Sequence, residues 1–298
     1  MPRGRLALYS PVATARRPGP RNWVGLAAAT AGPWLLASAV MTQAPGAPVA
    51  TVLTPAQQEA FLLEARIVRT RTISKGITGS LRATLTDGVL THDAHVQTID
   101  EARHEFQGTR GLELNFRDTW RYNVAAYRLS RLLGLDMVPV TVERRYRQEP
   151  ASFTWWVDKV AMDEATRLRK KIPAPDITAW NQQMYLVRVF DQLIYNTDRN
   201  LGNLLITSDW RLWMIDHTRA FRRFRTLRAV KNLTRCDRTL LARLEALDEP
   251  TLERELSRWL EPYELEPLLS RRDLIVQHFR SAPPEALFDL PQRTRPIQ

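Results

Sequence analysis

The sequence predicts an α+β protein in which a small, mainly antiparallel β region precedes a mostly helical region. Alternating, β-branched stretches with turn signals dominate from about residue 71 to residue 157. One amphipathic segment interrupts them, and from residue 176 onwards apolar side chains recur at helical spacing. The chain has 298 residues, 44% of them hydrophobic, which is enough for a substantial buried core.

The β region begins with a helix and continues with strands. Thr54 as N-cap and Pro55 at the first helical position predict a helix that continues through Val68. Two or three antiparallel strands should follow, Leu81–Leu85 and His92–Ile99 among them, joined by a hairpin turn at Asp87-Gly88. An earlier turn contains Gly76 and Gly79.

The interrupting segment predicts a helix from Asp118, as a cap, to Leu133, with Gly134 ending it. Its apolar face consists of Trp120, Val124, Tyr127 and Leu132. Strands are expected next at Met137–Arg144 and Ser152–Val157. Helices are then expected at Asp176–Tyr195, Thr239–Leu247, Thr251–Leu260 and Glu264–Arg280.

Three polar residues stand in apolar surroundings between Asp191 and Phe221. Asp198 and Asn203 lie in a loop after the predicted helix, and Asp216 follows the short strand Leu212–Ile215. Phosphoryl transfer requires a carboxylate that positions the acceptor hydroxyl, and an amide and a second carboxylate that hold a metal ion. The same residues also suit a structural Asx-turn, so a role in the fold alone is the alternative.

The pattern D-R-N-x-x-N followed by I-D-H resembles the catalytic loop and metal-binding aspartate of the kinase superfamily. The similarity is to its atypical branch, which includes phosphatidylinositol-kinase-like, HipA-like and secreted FAM20-like kinases. Asn200 stands where these kinases usually have His. The resemblance implies that Asp198 is catalytic with Arg199 supporting the loop, that Asn203 and Asp216 bind Mg or Mn, and that ATP is the donor.

A two-lobed protein-kinase-like fold follows from the same resemblance. It implies a small, mainly antiparallel β N-lobe at residues 45–158, a hinge at Asp158–Met162 and a mostly helical C-lobe at residues 159–298. Two expected residues are replaced, because Gln97 stands in place of the nucleotide-binding lysine and Asn123 in place of its glutamate partner. Lys75, beside Gly76 and Gly79, and Arg82 are then the candidates for contacting the phosphates, together with Gln97.

Three interpretations therefore remain open. The first is a Mg-dependent phosphotransferase that binds a nucleotide and transfers a phosphoryl group to an unknown hydroxyl acceptor. The second is a pseudokinase that acts as a binding or scaffold module, because it lacks the lysine–glutamate pair. The third is an α+β protein without kinase ancestry, whose Asp and Asn residues are structural.

Residues 1–44 have the pattern of a signal peptide or N-terminal membrane anchor. Five arginines and no acidic residue precede the apolar run Trp23–Met41, and Ala37-Ser38-Ala39 or Ala44 can end the signal. Removing residues 1–44 lowers the net charge from +11 to +6, so no nucleic-acid partner is expected. Gly32 and Pro33 interrupt the run, which favours cleavage, a mature domain that is not transmembrane, and export to the periplasm or exterior.

Export can be tested on the protein from its native host. Mass spectrometry should find a mature N-terminus near Val40 or Pro45, because signal removal at either alanine motif exposes one of these residues. An intact Met1 on soluble cytoplasmic protein would contradict this prediction.

Overall fold

The computed structural model describes residues 53–73, 80–108 and 111–290, all of which belong to one structural unit. The predicted leader, Lys75 with its flanking Gly76 and Gly79, and the C-terminal tail after Leu290 lie outside the described residues. The helices are α1 (Pro55–Glu64), α2 (Arg121–Leu132), α3 (Glu164–Arg169), α4 (Ile177–Leu193), α5 (Arg238–Ala246), α6 (Glu249–Leu256) and α7 (Pro262–Arg280).

Strands fall mainly in the N-terminal half of the described chain. They are β1 (Arg66–Thr72), β2 (Leu81–Thr86), β3 (Thr91–Gln97), β4 (Asp100–Gly108), β5 (Gly111–Thr119), β6 (Thr141–Tyr146), β7 (Glu149–Trp155), β8 (Val160–Asp163), β9 (Leu204–Thr207), β10 (Leu212–Met214), β11 (Cys236–Asp237) and β12 (Leu287–Phe288).

A five-stranded antiparallel sheet in the order β1-β2-β3-β7-β6 forms the N-terminal region. Helices α1 and α2 pack on it. Because side chains alternate along a strand, Ala94 and Val96 of β3 are buried in the core, whereas His95 and Gln97 face the opposite side, where they line a cleft. The alternation along β3 therefore buries one face of the strand in the core and directs His95 and Gln97 into the cleft.

Helix α1 confirms the predicted cap, since the Thr54 hydroxyl accepts a hydrogen bond from the Gln57 amide. The helix ends at Glu64, four residues earlier than predicted, because residues from Arg66 onwards pair with β2. The predicted strands after it agree with β2 and β3 to within two residues. At their turn, the Asp87 carboxylate accepts from two backbone amides, and Gly88 has a φ of +97°.

The start of α2 corrects a prediction. The helix begins at Arg121, and its N-cap residue Trp120 makes no side-chain capping bond. Asp118 lies instead near the end of β5, where its carboxylate forms an ion pair with Arg219. Gly134 follows the helix with a φ of +63°, as a C-terminal glycine should.

The hairpin of β4 and β5 was not predicted, and it forms a two-stranded sheet of its own. Most of its residues are exposed, and the alternation that marks a half-buried strand is missing from the sequence. Phe106 and Phe116 stack across it at 4.0 Å between ring centroids. Phe116 is buried, so the hairpin adds a small apolar contact to the edge of the cleft.

Strands β6 and β7 are displaced from their predicted positions by two to four residues at each end. The residues before β6 include Pro139, which has no amide to donate to a strand partner. Arg147 and Gln148 form the connecting turn with φ values of 48° and 70°. Turns of this kind usually contain Asn or Gly, so the sequence did not signal this one.

Strands β8, β9 and β10 form a three-stranded antiparallel sheet next to α4. The segment predicted as a hinge, Asp158–Met162, includes most of β8, which pairs with β9. Helix α4 was expected from Asp176 to Tyr195 and runs from Ile177 to Leu193, with Asp176 as its N-cap, whose carboxylate accepts from the Ala179 amide. The helices α5, α6 and α7 follow as predicted, with ends shifted by up to four residues.

Cys236 is buried and free, and burial raises the pKa of its thiol to about 12, so it behaves as a small packed side chain. Among the described helices, none is long and apolar enough to cross a membrane.

A fully buried arginine joins the helical elements. Arg271 of α7 donates from Nε to the Leu193 carbonyl at 2.7 Å, and from Nη1 to the carbonyls of Arg222 at 2.9 Å and Phe224 at 2.5 Å. Burial lowers its pKa to about 9. The end of α4 and the segment after Asp216 are therefore both fastened to α7 by one side chain.

Replacing this arginine should destabilise the protein strongly. Arg271→Met leaves three carbonyls without their donor, and we expect a loss of about 3 kcal/mol or more in the free energy of unfolding, measured with urea. Arg225→Met, which removes an exposed ion pair with Glu266, is the matched control and should cost about 0–1 kcal/mol. Equal effects for the two variants would contradict the role of Arg271.

Candidate active site

A cleft of about 1730 Å³ is lined by several of the residues that the sequence singles out, whereas Arg82 and Arg199 are not among its lining residues. Asp198, Asn203 and Asp216 line it from the helical side. Gln97 of β3 and Asn123 of α2 line it from the β side, together with much of the β4–β5 hairpin. The structure therefore brings together residues that are separated by up to 119 positions in the chain.

Local side-chain hydrogen bonds shape the loop that carries Asp198. The Asn196 amide group donates to Asp191 at 3.2 Å, and its oxygen accepts from the Asp198 backbone amide at 2.9 Å. Asn200 accepts from the Gly202 amide at 2.9 Å and begins the short turn that ends at Asn203. These Asx contacts hold Asp198 in the cleft, where its side chain is 41% exposed and accessible to a ligand.

Asp216 comes directly after β10 and its neighbour Ile215, with a φ of 57°. This left-handed conformation is uncommon for a residue other than glycine and is frequent at functional sites. Its Oδ2 lies 3.4 Å from Asn203 Nδ2, and its Oδ1 accepts from the Thr218 hydroxyl at 3.1 Å. The carboxylate and the carboxamide are thus neighbours, as a shared metal ion would require.

Arg199 belongs to the buried scaffold behind the loop. It binds Asp191 of α4 through Nε at 3.0 Å and Nη2 at 3.1 Å. Its Nη1 donates to the carbonyls of Asn203 at 3.2 Å and Ile215 at 2.7 Å. One guanidinium therefore fixes the helix, the loop and the strand end that carry the three polar residues, which makes Arg199 a positioning residue.

His217 completes this scaffold. Its Nε2 lies 2.9 Å from Arg199 Nη2, so the ring accepts a hydrogen bond from the guanidinium. Burial, and secondarily the charge of Arg199, hold the pKa of His217 well below its ordinary value. The neutral imidazole is thus the form that suits this contact.

Asn123 makes a specific contact to the segment after Asp216. Its Oδ1 accepts from the His217 backbone amide at 2.8 Å, and its Nδ2 donates to the Ser152 hydroxyl at 3.3 Å. Both ends of the carboxamide are therefore used, one toward the sheet and one toward the residue adjacent to Asp216. An uncharged hydrogen bond therefore connects helix α2 to the backbone next to Asp216.

Gln97 is held mainly by its own strand end. Its Oε1 accepts from the backbone amides of Thr98 at 2.9 Å and Ile99 at 3.0 Å, and its Nε2 donates to the Ser80 hydroxyl at 3.2 Å. The side chain is buried at the wall of the cleft. It supplies an amide to the cleft and no positive charge.

Arg82 has a carboxylate partner on the adjacent strand. Its Nε donates to Asp93 Oδ2 at 2.6 Å, and its guanidinium lies 4.1 Å from the ring centroid of Trp156. Trp156 itself lines the cleft. The structure thus places the charge of Arg82 behind a cleft-lining aromatic ring.

Sequence reasoning missed Arg219 and the hairpin residue that binds it. Arg219 lines the cleft and contacts Asp118 Oδ2 through Nε at 2.7 Å. Burial alone would lower the pKa of Arg219, but the hydrogen bond and charge of Asp118, with Asp198 and Asp216, raise it. The two residues are 101 positions apart, so no local spacing could have paired them.

A second arginine fastens the hairpin beside this pair. Arg222 is buried, forms an ion pair with Glu113 of β5 at 2.6 Å, and donates to the Arg117 carbonyl at 2.5 Å. Thr119 at the end of β5 also donates from its amide to the Thr218 carbonyl at 3.0 Å. Strand β5 is therefore joined to the segment that follows Asp216 at three of its residues.

Comparisons with known proteins match the fold and not the sequence. No family model and no curated protein matches the chain. Among solved structures, hydra Fam20 with sugar aligns with a TM-score of 0.58 at 17% identity, covering 78% of this chain and 92% of that chain.

Two structures of the Golgi casein kinase align as well. One, solved with Mn/ADP bound, has a TM-score of 0.53 at 12% identity and covers 75% of each chain. The other has a TM-score of 0.53 at 13% identity, with 80% of this chain and 78% of that chain covered. The chain has a Fam20-type kinase fold. The predicted two-lobed, kinase-like α+β architecture is thereby confirmed, and the five-stranded sheet with α2 corresponds to the N-lobe of this fold.

The contact between Asn123 and His217 can be tested by mutation. Asn123→Leu leaves the buried His217 amide without an acceptor, and we expect a loss of about 1–3 kcal/mol in the free energy of unfolding. Urea denaturation measures this loss. Ser152→Ala, which removes the partner of Nδ2 and leaves Oδ1 in place, is the control and should cost less. A larger loss for the control would show that the sheet contact dominates.

Proposed function

We propose that the protein is a metal-dependent phosphotransferase that moves the terminal phosphoryl group of ATP to a hydroxyl acceptor. The observation that carries the proposal is the convergence of Asp198, Asn203 and Asp216 on one cleft, with Asn203 and Asp216 at 3.4 Å. The Fam20-type fold supports it, since the motif residues occupy one face of a cleft in a kinase-like architecture.

The two residues beside each other fit a hard divalent cation such as Mg or Mn. Asp216 offers carboxylate oxygens, and Asn203 offers a carboxamide whose oxygen and nitrogen can exchange places by rotation. Among the described residues, no group of three or more His, Cys, Asp or Glu side chains could hold a metal ion. Phosphate oxygens and water would therefore complete the coordination, as is usual for Mg in nucleotide sites. When bound, the metal neutralises phosphate charge.

Asp198 would act on the acceptor. The acceptor hydroxyl oxygen bonds to the terminal phosphorus as the bond from that phosphorus to the bridging oxygen breaks. The hydroxyl proton passes to the Asp198 carboxylate, and the nucleoside diphosphate leaves. Positioning and charge neutralisation supply most of the rate enhancement in such a reaction.

The same cleft also contains groups suited to the base and the phosphate chain. Trp155 and Trp156 line it next to apolar residues such as Val138 and Met214, which together suit a planar ring system. We propose that Lys75, with Gly76 and Gly79 of the turn predicted from the sequence, binds the phosphates, since Gln97 offers only an amide. Residues 45–158 and 159–298 would then be the two lobes.

The second candidate is a binding module without catalysis. The specific observation in its favour is that Gln97 and Asn123 are both uncharged and are held by neighbouring backbone and hydroxyl groups. Such a module would bind a nucleotide or a partner in the same cleft and transfer nothing. The two candidates share the fold and differ in the chemistry of Asp198.

Export belongs to the proposal as well. The arginine-rich start and apolar run of residues 1–44 support a leader or anchor, and an exported enzyme would need a nucleotide donor outside the cytoplasm. The Golgi casein kinase, whose fold is similar, is itself named for a compartment outside the cytosol.

Calorimetry of the full chain with ATP and Mn or Mg tests the proposal. We expect metal-dependent nucleotide binding that Asp216→Ala abolishes, because the variant loses the carboxylate ligand. Asp198→Ala should retain binding and lose phosphoryl transfer, because Asp198 acts on the acceptor side. Lys75→Ala should weaken binding by about 1.5–3 kcal/mol, the contribution of a charge-assisted phosphate contact.

Two results would decide against a phosphotransferase. If the wild-type protein binds no nucleotide with either metal, the proposal fails. If it binds a nucleotide without turnover on any acceptor or water, and Asp198→Ala changes nothing, the binding module is correct.

A further inference from the structure

One cation in the cleft lies close to the candidate catalytic carboxylate. Arg219 Nη1 is 3.9 Å from Asp198 Oδ2, and the Arg219 side chain is 27% exposed. At this distance the guanidinium is not hydrogen-bonded to the carboxylate, yet it lies within reach of any group that Asp198 contacts. A phosphoryl group transferred beside Asp198 would therefore lie beside Arg219.

The partner of Arg219 fixes its position through one nitrogen. Asp118 accepts from Nε at 2.7 Å, and its side chain is 2% exposed. The other carboxylate oxygen, Oδ1, is buried and accepts no hydrogen bond from any described residue. The ion pair is therefore monodentate, through Nε of Arg219, and not bidentate. The terminal nitrogens of Arg219 remain available for a further acceptor.

Aromatic rings hold the same guanidinium from the side. Its carbon lies 5.8 Å from the Phe106 ring centroid and 5.3 Å from that of Phe116, both on the β4–β5 hairpin. A planar cation held by a carboxylate at Nε and packed near two rings loses little freedom when it binds a ligand. Arg219 is therefore preorganised.

Other arginines of the cleft are placed differently. Arg103 pairs with Glu101 on the exposed hairpin at 2.9 Å, and Arg228 donates to the Asn196 carbonyl at 2.9 Å. Among the ion pairs of the described residues, those of Arg219 are the ones that include Asp198. Its position also differs from that of Gln97, which lies on the opposite wall at the end of β3.

We propose that Arg219, held by Asp118, contacts the non-bridging oxygens of the terminal phosphoryl group during transfer. This inference rests on the proposed function and assigns a charge that Gln97 does not supply. Because Arg219 lies beside Asp198, it acts on the phosphoryl group in transit and not on the two that remain with the nucleoside. A nucleoside diphosphate lacks that group, so the contact distinguishes triphosphate from diphosphate.

The test compares two nucleotides on the full chain. Calorimetry with Mn measures the affinities for adenylyl imidodiphosphate, a triphosphate analogue that resists transfer, and for ADP. Arg219→Gln should weaken analogue binding by about 10-fold or more, the effect of one charge-assisted contact, and change ADP binding by less than about twofold. Arg225→Gln removes the same charge six residues along, at an exposed ion pair with Glu266, and is the matched control that should change neither affinity.

A measurement on the wild-type protein avoids dependence on the folding of the variant. Phenylglyoxal modifies accessible arginines, and mass spectrometry locates the modified residue. The analogue should protect Arg219 from modification, whereas ADP should not.

The outcomes separate this inference from the proposed function. If the wild-type chain binds neither nucleotide, the proposed function fails and the inference fails with it. If both bind, and Arg219→Gln lowers both affinities equally or neither, or if ADP protects Arg219 as well as the analogue does, the phosphotransferase can stand while the role of Arg219 is overturned.

Discussion

The site depends on one guanidinium that is largely, though not fully, buried. Arg199 uses Asp191 to fix itself to α4 and gives its remaining donors to two backbone carbonyls and to His217. Removal of one partner from a buried ion pair is expensive, so this network has little freedom to rearrange. Arg199 donates to the backbone carbonyls of Asn203 and Ile215. Asp198 is the residue before Arg199, and Asp216 is the residue after Ile215. The backbone at or next to Asp198, Asn203 and Asp216 is therefore fixed by this one side chain.

The N-lobe contributes to the same cluster through uncharged contacts. Asn123 takes the position where a kinase glutamate is expected, and it binds the backbone beside Asp216 directly. Helix α2 is thus joined to the segment that carries Asp216 without an ion pair. Burying a carboxamide with both ends hydrogen-bonded costs far less free energy than burying an unpaired charge. With Gln97 and Asn123 in place of both the lysine and the glutamate, neither position holds a charge without a partner.

Periodicity and capping residues predicted most of the fold. Thr54 caps the helix that it was expected to cap, α4 begins within one residue of its expected start, and β2 and β3 follow from alternating residues joined by the turn at Asp87-Gly88. The β4–β5 hairpin was not predictable in this way, because most of its residues are exposed and Phe116 is the apolar side chain that it buries. Without it, Asp118 looked like a helix cap, which is the usual role of an aspartate before an amphipathic run.

Prediction of the site was limited in a similar way. Asp198, Asn203 and Asp216 lie within nineteen residues of each other and carry a spacing that can be read from the chain. The contact between Asp118 and Arg219 joins two segments that are 101 positions apart, and it depends on where the hairpin packs beside the cleft. No local sequence pattern therefore predicts it. Pairings of this kind follow from tertiary packing, which local propensity does not determine.

The position of Arg219 has a consequence for how such a site is assembled. A lysine at the position of Gln97 would place a positive charge on β3, on a different element from Asn203 and Asp216. Here Asp198, Asn203, Asp216 and Arg219 lie on one continuous segment of 22 residues, and Arg199, its second residue, binds the backbone carbonyls of Asn203 and Ile215 farther along it. The N-lobe supplies Asp118 through the hairpin, which orients the guanidinium and does not carry the charge. The contact with Asp118 then sets the orientation of the cation, whereas its presence beside Asp198 is set by the chain segment that carries both.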